Sequence, residues 1–221
     1  MSIFPDYYTT SDISALPTTY FPALSTSQVA TITSYEIQAL TSNQLQSLTT
    51  NQWVVFGTEQ LIGLTSAQWS GIATDDLQAL TSSQITLGVA ADITGFTSSQ
   101  LAALTASQAS VLTTQQAALL STLQLSGIEA ADASSLSTQF LSALSTAQVS
   151  GLTTASFAAL TTAQLVSGIG TDISGVGSAQ IVALTTAQAG ALTSAQLPGL
   201  GTSQFAAFEA ADARQLGTSA L

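Results

Sequence analysis

The residues of this chain that could do chemistry are few, and they are regularly spaced. Asp92, Asp132, Asp172 and Asp212 follow one another at one constant interval, five times the length of a shorter repeat described below. In three of the four, a second oxygen comes two places later, at Thr94, Ser134 and Ser174. If one such acid lay in each layer of a stacked fold, the column would suit a hard cation such as calcium. That ion wants about 6–8 oxygens, however, and each layer offers one or two. A second cluster is Asp75 with Asp76, and Glu59 one to two repeats earlier. Paired carboxylates are the groups of glycosidase-type acid–base work. All these acids also have a plainer place, in the first turn of a helix, where the dipole favours negative charge.

The residue types that are missing say more. The chain has no Lys, His or Cys, and Arg214 is its one base. Imidazole–hydroxyl and imidazole–thiol pairs, a Schiff-base lysine, a phosphate-binding lysine loop and a zinc site are therefore absent from the sequence. Against 1 basic residue stand 12 acids, a net charge of −11. Such a surface repels nucleic acid, whose binding needs Lys and Arg to displace counterions. Non-enzymatic function, no cofactor and no nucleic-acid partner are the expectations.

The elements that would position any site are set by repetition. From Leu144 to Ser167 the chain reads LSTAQVSG LTTASFAA LTTAQLVS. Gln recurs in the same octad register along the chain, at Gln84, Gln124, Gln164 and Gln204 among others. The unit is L-[TS]-[TS]-x-Q-apolar-x-small. Its positions are numbered 1 to 8 from the Leu, so the Gln is position 5. Asp12, Tyr20, Glu36, Asp76, Asp92, Asp132, Phe140, Ser156, Asp172 and Asp212 are among the residues that hold that position where Gln does not.

Thr or Ser three places before Gln is a capping box. The hydroxyl accepts from the Gln N–H, and the Gln side chain reaches back to the cap N–H. The apolar residues at positions 1 and 6 flank the cap as a hydrophobic staple. Each octad thus starts a helix, and the next start leaves room for little more than one turn. Helices that short do not survive alone; they must stack on neighbouring coils, as in a solenoid. The fold expected is an all-α solenoid of very short capped helices, with a β-solenoid as the alternative on the strength of the Thr content. Octads GVAADITG at Gly88 and GIGTDISG at Gly168 resemble each other, as do IEAADASS at Ile128 and FEAADARQ at Phe208. They define a super-repeat of five or ten octads. Five octads, or a simple fraction of that length, are the expected superhelical turn.

Residues 1–23 are rich in aromatics and Pro and read as a cap or an assembly segment merging into the repeat; residues 24–221 read as one repeat domain. Phe4, Tyr7 and Tyr8 at one end, with Leu216 and Leu221 at the other, are the candidate contacts for end-to-end self-association. Trp53, Phe56 and Trp69 are the candidates for a binding face, although they fall on core positions. The N-terminus shows no signal-peptide pattern. No apolar run approaches a membrane span, so no membrane insertion is expected.

The L-T-x-x-Q motif resembles the signature of small periplasmic chaperones of the Spy/CpxP type, where it opens longer helices on a basic surface. The acidic tandem array departs from that pattern, and the chaperone function is not carried over. In tandem form the motif resembles the repeat stretches of very large bacterial secreted or surface proteins, from about Tyr8 to Leu221. That resemblance implies a structural role at the cell surface or outside the cell, as a stalk, adhesin segment or fibre subunit forming a rod or self-assembling filament. Export without an N-terminal signal goes with it, and a cytoplasmic place is the other option. The alternative function is a solenoid binding module for glycan, peptide or calcium.

Overall fold

The computed structural model describes residues 3–5 and 8–208. Each octad folds as its cap dictates. In the octad of Gln44, the Thr41 hydroxyl accepts from the Gln44 N–H at 3.3 Å, and Gln44 Oε1 accepts from the Thr41 N–H at 2.8 Å. The helix Ser42–Gln46 follows at once. It stops after little more than a turn, and the Leu48 N–H closes back onto the Leu45 carbonyl at 3.2 Å. The same start and stop recur along the chain. Among the described residues there are 19 α-helices, each between one and two turns long, interspersed with short 3₁₀ and π segments, and no strand. The architecture is an all-α solenoid, and the β-solenoid alternative falls.

The chain divides into two compact units, Met1–Gln108 and Ala109–Leu221. The sequence expectation was one repeat domain over 24–221, and the octad register runs through the division without a break. Each unit is a coil of octads. In the first, helix Ser34–Ala39 lies against helix Thr58–Ile62; in the second, Thr114–Leu119 lies against Thr138–Ser142. Both pairs are three octads apart. Gln side chains reach carbonyls 28 and 31 residues earlier, that is, between the third and the fourth octad before. Within each unit an octad therefore sits across the third and fourth octads before it, and a turn takes between three and four octads. The expected turn of five octads is not found. Five octads would enclose a centre wider than inward Leu and Ile side chains can fill, and interiors are close-packed.

Positions 6 and 1 supply the core. Ile13, Val29, Ile37, Leu45, Trp53, Leu61 and Trp69 are buried at position 6, with Leu40, Leu48, Phe56 and Leu64 at position 1. Position 8 is small because the coil before it is close. A Cβ on Gly95 would stand 2.1 Å from the Ser66 carbonyl oxygen, and one on Gly175 would stand 2.0 Å from that of Thr146.

The octads singled out at Gly88 and Gly168 mark a local change of helix type. Segments Gln84–Val89 and Gln164–Gly168 are π-helical. In both, position 1 is Gly and the buried apolar residue comes one place late, at Val89 and Ile169. A π-turn takes up one extra residue, as in the Ile169 N–H bond to the Gln164 carbonyl at 2.9 Å. The Gly is required where the backbone crowds the coil below, since a Cβ on Gly88 would meet Leu61 at 2.8 Å. The chain then turns through a positive φ, 35° at Ala90 and 76° at Gly170. By Ile93 and Ile173 the core position is back in register.

Candidate functional site

The most ordered polar feature of each unit is the row of position-5 Gln side chains, nearly all of them buried. Within each unit most of them are bonded at both ends. Gln164 Oε1 accepts from its own cap, the Thr161 N–H, at 2.7 Å. Its Nε2 donates to the carbonyls of Ala133 at 2.9 Å and Leu136 at 2.7 Å in the preceding coil. Gln84 bonds Thr81 at 2.7 Å on its cap side and Phe56 at 2.9 Å across the turn. Gln52, Gln100, Gln148 and Gln180 repeat the arrangement. Gln204 reaches the carbonyls of Val176 and Ser174. Gln124 accepts from the Ser121 N–H at 2.9 Å. Where the π-turn displaces the target, the rung adjusts, and Gln196 takes the Gly170 carbonyl at 2.7 Å.

The sequence reading assigned these Gln residues to capping alone. The signal it passed over is the choice of residue. For capping, Glu serves as well as Gln, and the dipole favours Glu. A position that holds Gln so persistently needs the amide donors, which only a second set of acceptors explains. A second row was also missed. Gln46 and Gln78, at position 7, donate to the carbonyls of Gly71 and Ala103 at 2.8 Å.

The acids at position 5 accept but do not donate. Asp12 and Glu36 lie in octads with no complete octad four places earlier, and they bond their own caps, Thr9 and Thr33. The cap bonds from Thr9, side chain first and then backbone, hold the Asp12 carboxyl below its ordinary value. Asp92 accepts from the Ser66 hydroxyl at 3.2 Å, and that hydroxyl lies 3.2 Å from Thr94 Oγ1. Asp172 is exposed and accepts from the Ser174 hydroxyl and N–H at 2.6 and 3.1 Å, which lowers its pKa. Asp132 is buried; burial first, then Glu129, raises its pKa. Asp212 lies outside the described residues. A column of these acids does not form in the second unit. Asp132 and Asp172 are five octads apart, whereas neighbours across a turn are three to four octads apart. No group of three or more His, Cys, Asp or Glu able to hold a metal ion occurs among the described residues.

Trp53 and Trp69 are fully buried, and Phe56 is 3% exposed, so these rings form core and not a binding face. They pack at 5.3 Å (Trp53 on Phe56) and 5.5 Å (Trp69 on Phe96) between ring centroids. Both indole N–H groups are buried without a hydrogen-bond partner. Phe4 is turned inward as well, with its ring 6.5 Å from those of Tyr8 and Tyr20, as a cap requires. Tyr7, Leu216 and Leu221 lie outside the described residues. No helix among the described residues is long and apolar enough to cross a membrane.

Residues 171–202, which include the hexapeptide Ala183-Leu-Thr-Thr-Ala-Gln188, match the family model of the ALTTAQ repeat. No curated protein matches the chain, and no solved structure does. The matched stretch carries the same caps and rungs as the octads around it, such as Gln180 and Gln188, and is similar to that repeat type.

Proposed function

We propose that this chain is a structural repeat module, serving as a stalk, adhesin segment or fibre subunit outside a bacterial cell or at its surface. The main support is the Gln row. The most ordered polar groups of each coil join it to the coil before, and such a plan extends by adding octads. The chain also offers no imidazole, thiol or lysine amine for catalysis. The outside or surface location rests on the likeness to repeat stretches of secreted and surface proteins. We read assembly, where it occurs, as end-to-end contact between copies.

Negative-stain electron microscopy over a range of concentrations tests this. Particles of uniform width that lengthen with concentration support a fibre subunit. Separate particles of one length support a stalk or spacer. Globular particles of no fixed form would overturn the structural reading and turn attention to binding.

A further inference from the structure

One position in the first unit breaks the Gln row in the interior of the coil, at a buried site. Asp76 stands where the register calls for Gln, at the third residue of helix Thr74–Ala79, and it is 7% exposed. A Gln there would follow Gln52 in donating to the carbonyls at the two spacings that its row uses, here those of Leu48 and Leu45. The Leu45 carbonyl already accepts the Leu48 N–H. Among the described residues no hydrogen-bond donor meets the Leu48 carbonyl. The carbonyl of a position-1 residue lies outside the helical bonding, and in neighbouring turns the Gln amide is its partner, as Gln52 is for Leu24 and Gln68 for Leu40. Leu48 itself is buried. At the register position that supplies this carbonyl's donor in neighbouring turns, this turn carries a group that, when ionised, is itself an acceptor.

The surroundings of Asp76 do not neutralise it. The Thr50 hydroxyl donates to one carboxylate oxygen at 2.8 Å. The helices packed most closely against its own are Thr50–Trp53 and Ser98–Ala102, and neither carries an ionisable residue. On its own helix the neighbouring charge is Asp75, of the same sign.

We propose that Asp76 is a proton-operated rung: protonated, it supplies the donor that the Leu48 side of the coil lacks, and the first unit tightens in acid. Burial, which is the largest influence on this carboxyl and raises its pKa, acts in the same direction. The sign follows from linkage. A carboxyl whose pKa is higher in the folded than in the unfolded chain is stabilising below the unfolded value, and that stabilisation is lost as pH rises through the folded one.

The test is thermal unfolding from pH 7 down to the ordinary carboxylate range. It compares the full chain with Asp76→Gln, Asp76→Asn and Asp75→Asn, alongside carboxyl carbon NMR of the parent chain. Asp76→Gln is expected to raise the midpoint at pH 7 by about 2–4 °C and to flatten its rise on acidification. Asp75→Asn removes the same charge from an exposed neighbour and is expected to leave most of that rise in place, since burial is the larger cause. Asp76 itself should titrate above the ordinary Asp value of about 3.9. Equal effects of Asp75→Asn and Asp76→Asn on the pH profile would mean general charge repulsion, and overturn the proposal. So would a carboxyl titration at or below the ordinary value, which can be read even if a variant fails to fold.

Discussion

At the scale of one residue, position 5 does two jobs that substitutions can separate. Gln164→Glu keeps an acceptor for the Thr161 cap but removes the donor to the Ala133 and Leu136 carbonyls, leaving a buried acceptor unpaired. The expected cost is about 1–3 kcal/mol, measured by urea unfolding. Gln28 is exposed, and its side chain bonds only its own cap, Ser25. Gln28→Glu should therefore be neutral to within a few tenths of a kcal/mol, with the dipole on its side. Equal losses at both sites would show that the turn-to-turn bonds contribute nothing. The cap reading alone puts Gln164→Ala at about 0.5–1 kcal/mol; the rungs to Ala133 and Leu136 raise that expectation to match Gln164→Glu.

At the scale of the element, the octad is a helix start with a fixed stop, and its exceptions show what the stop depends on. Both π-turns occur where position 1 is Gly and the apolar residue arrives late. Each is followed by a positive φ, and the two segments differ in how well they bear it. Gly170 accommodates 76° without strain, and a Cβ there would meet nothing within 4 Å. Gly170→Ala should then cost about 1–2 kcal/mol from backbone strain alone. Ala90 holds φ 35° with ψ −118°, a region suited to Gly. Ala90→Gly should stabilise the first unit by up to about 1 kcal/mol, and a loss of stability would show that the Ala90 backbone is not strained. Gly95→Ala tests the close approach of coils. Its Cβ would strike the Ser66 carbonyl, backbone that cannot rotate away, so overpacking should cost about 1–3 kcal/mol or more.

At the scale of the whole molecule, charge is the lever. Twelve acids face one base, so self-repulsion opposes the compact state. Two opposing sets of carboxyls then shape the pH response. Asp76 and Asp132 have raised pKa values, so their contribution to stability grows as pH falls through those values. Asp12 and Asp172 have lowered values, so theirs is lost only at lower pH, as their cap and turn bonds are protonated away. Calorimetry should find the melting midpoint rising from pH 7 into the upper carboxylate range and falling below it. A midpoint that declines steadily from pH 7 would contradict the burial of Asp76 and Asp132. Added salt at pH 7 should raise the midpoint by screening.

Local structure was legible in the chain alone. A hydroxyl and a Gln three places apart specify a cap within one stretch of chain, with no reference to anything distant, so helix starts at Thr41, Thr97 or Thr185 could be read directly. The core positions were legible too, because the apolar residues repeat in the same register. The closure of the coil was not. How many octads make a turn depends on the width of core that Leu, Ile and Trp side chains fill, and on how near Gly95 or Gly175 lets two backbones come. The super-repeat of five octads therefore misled about the turn, since it records where π-turns and acids fall along the chain and not which octads touch. The second bond of each Gln was hidden for the same reason. Its acceptors lie 28 and 31 residues away, and only the folded coil brings them within reach.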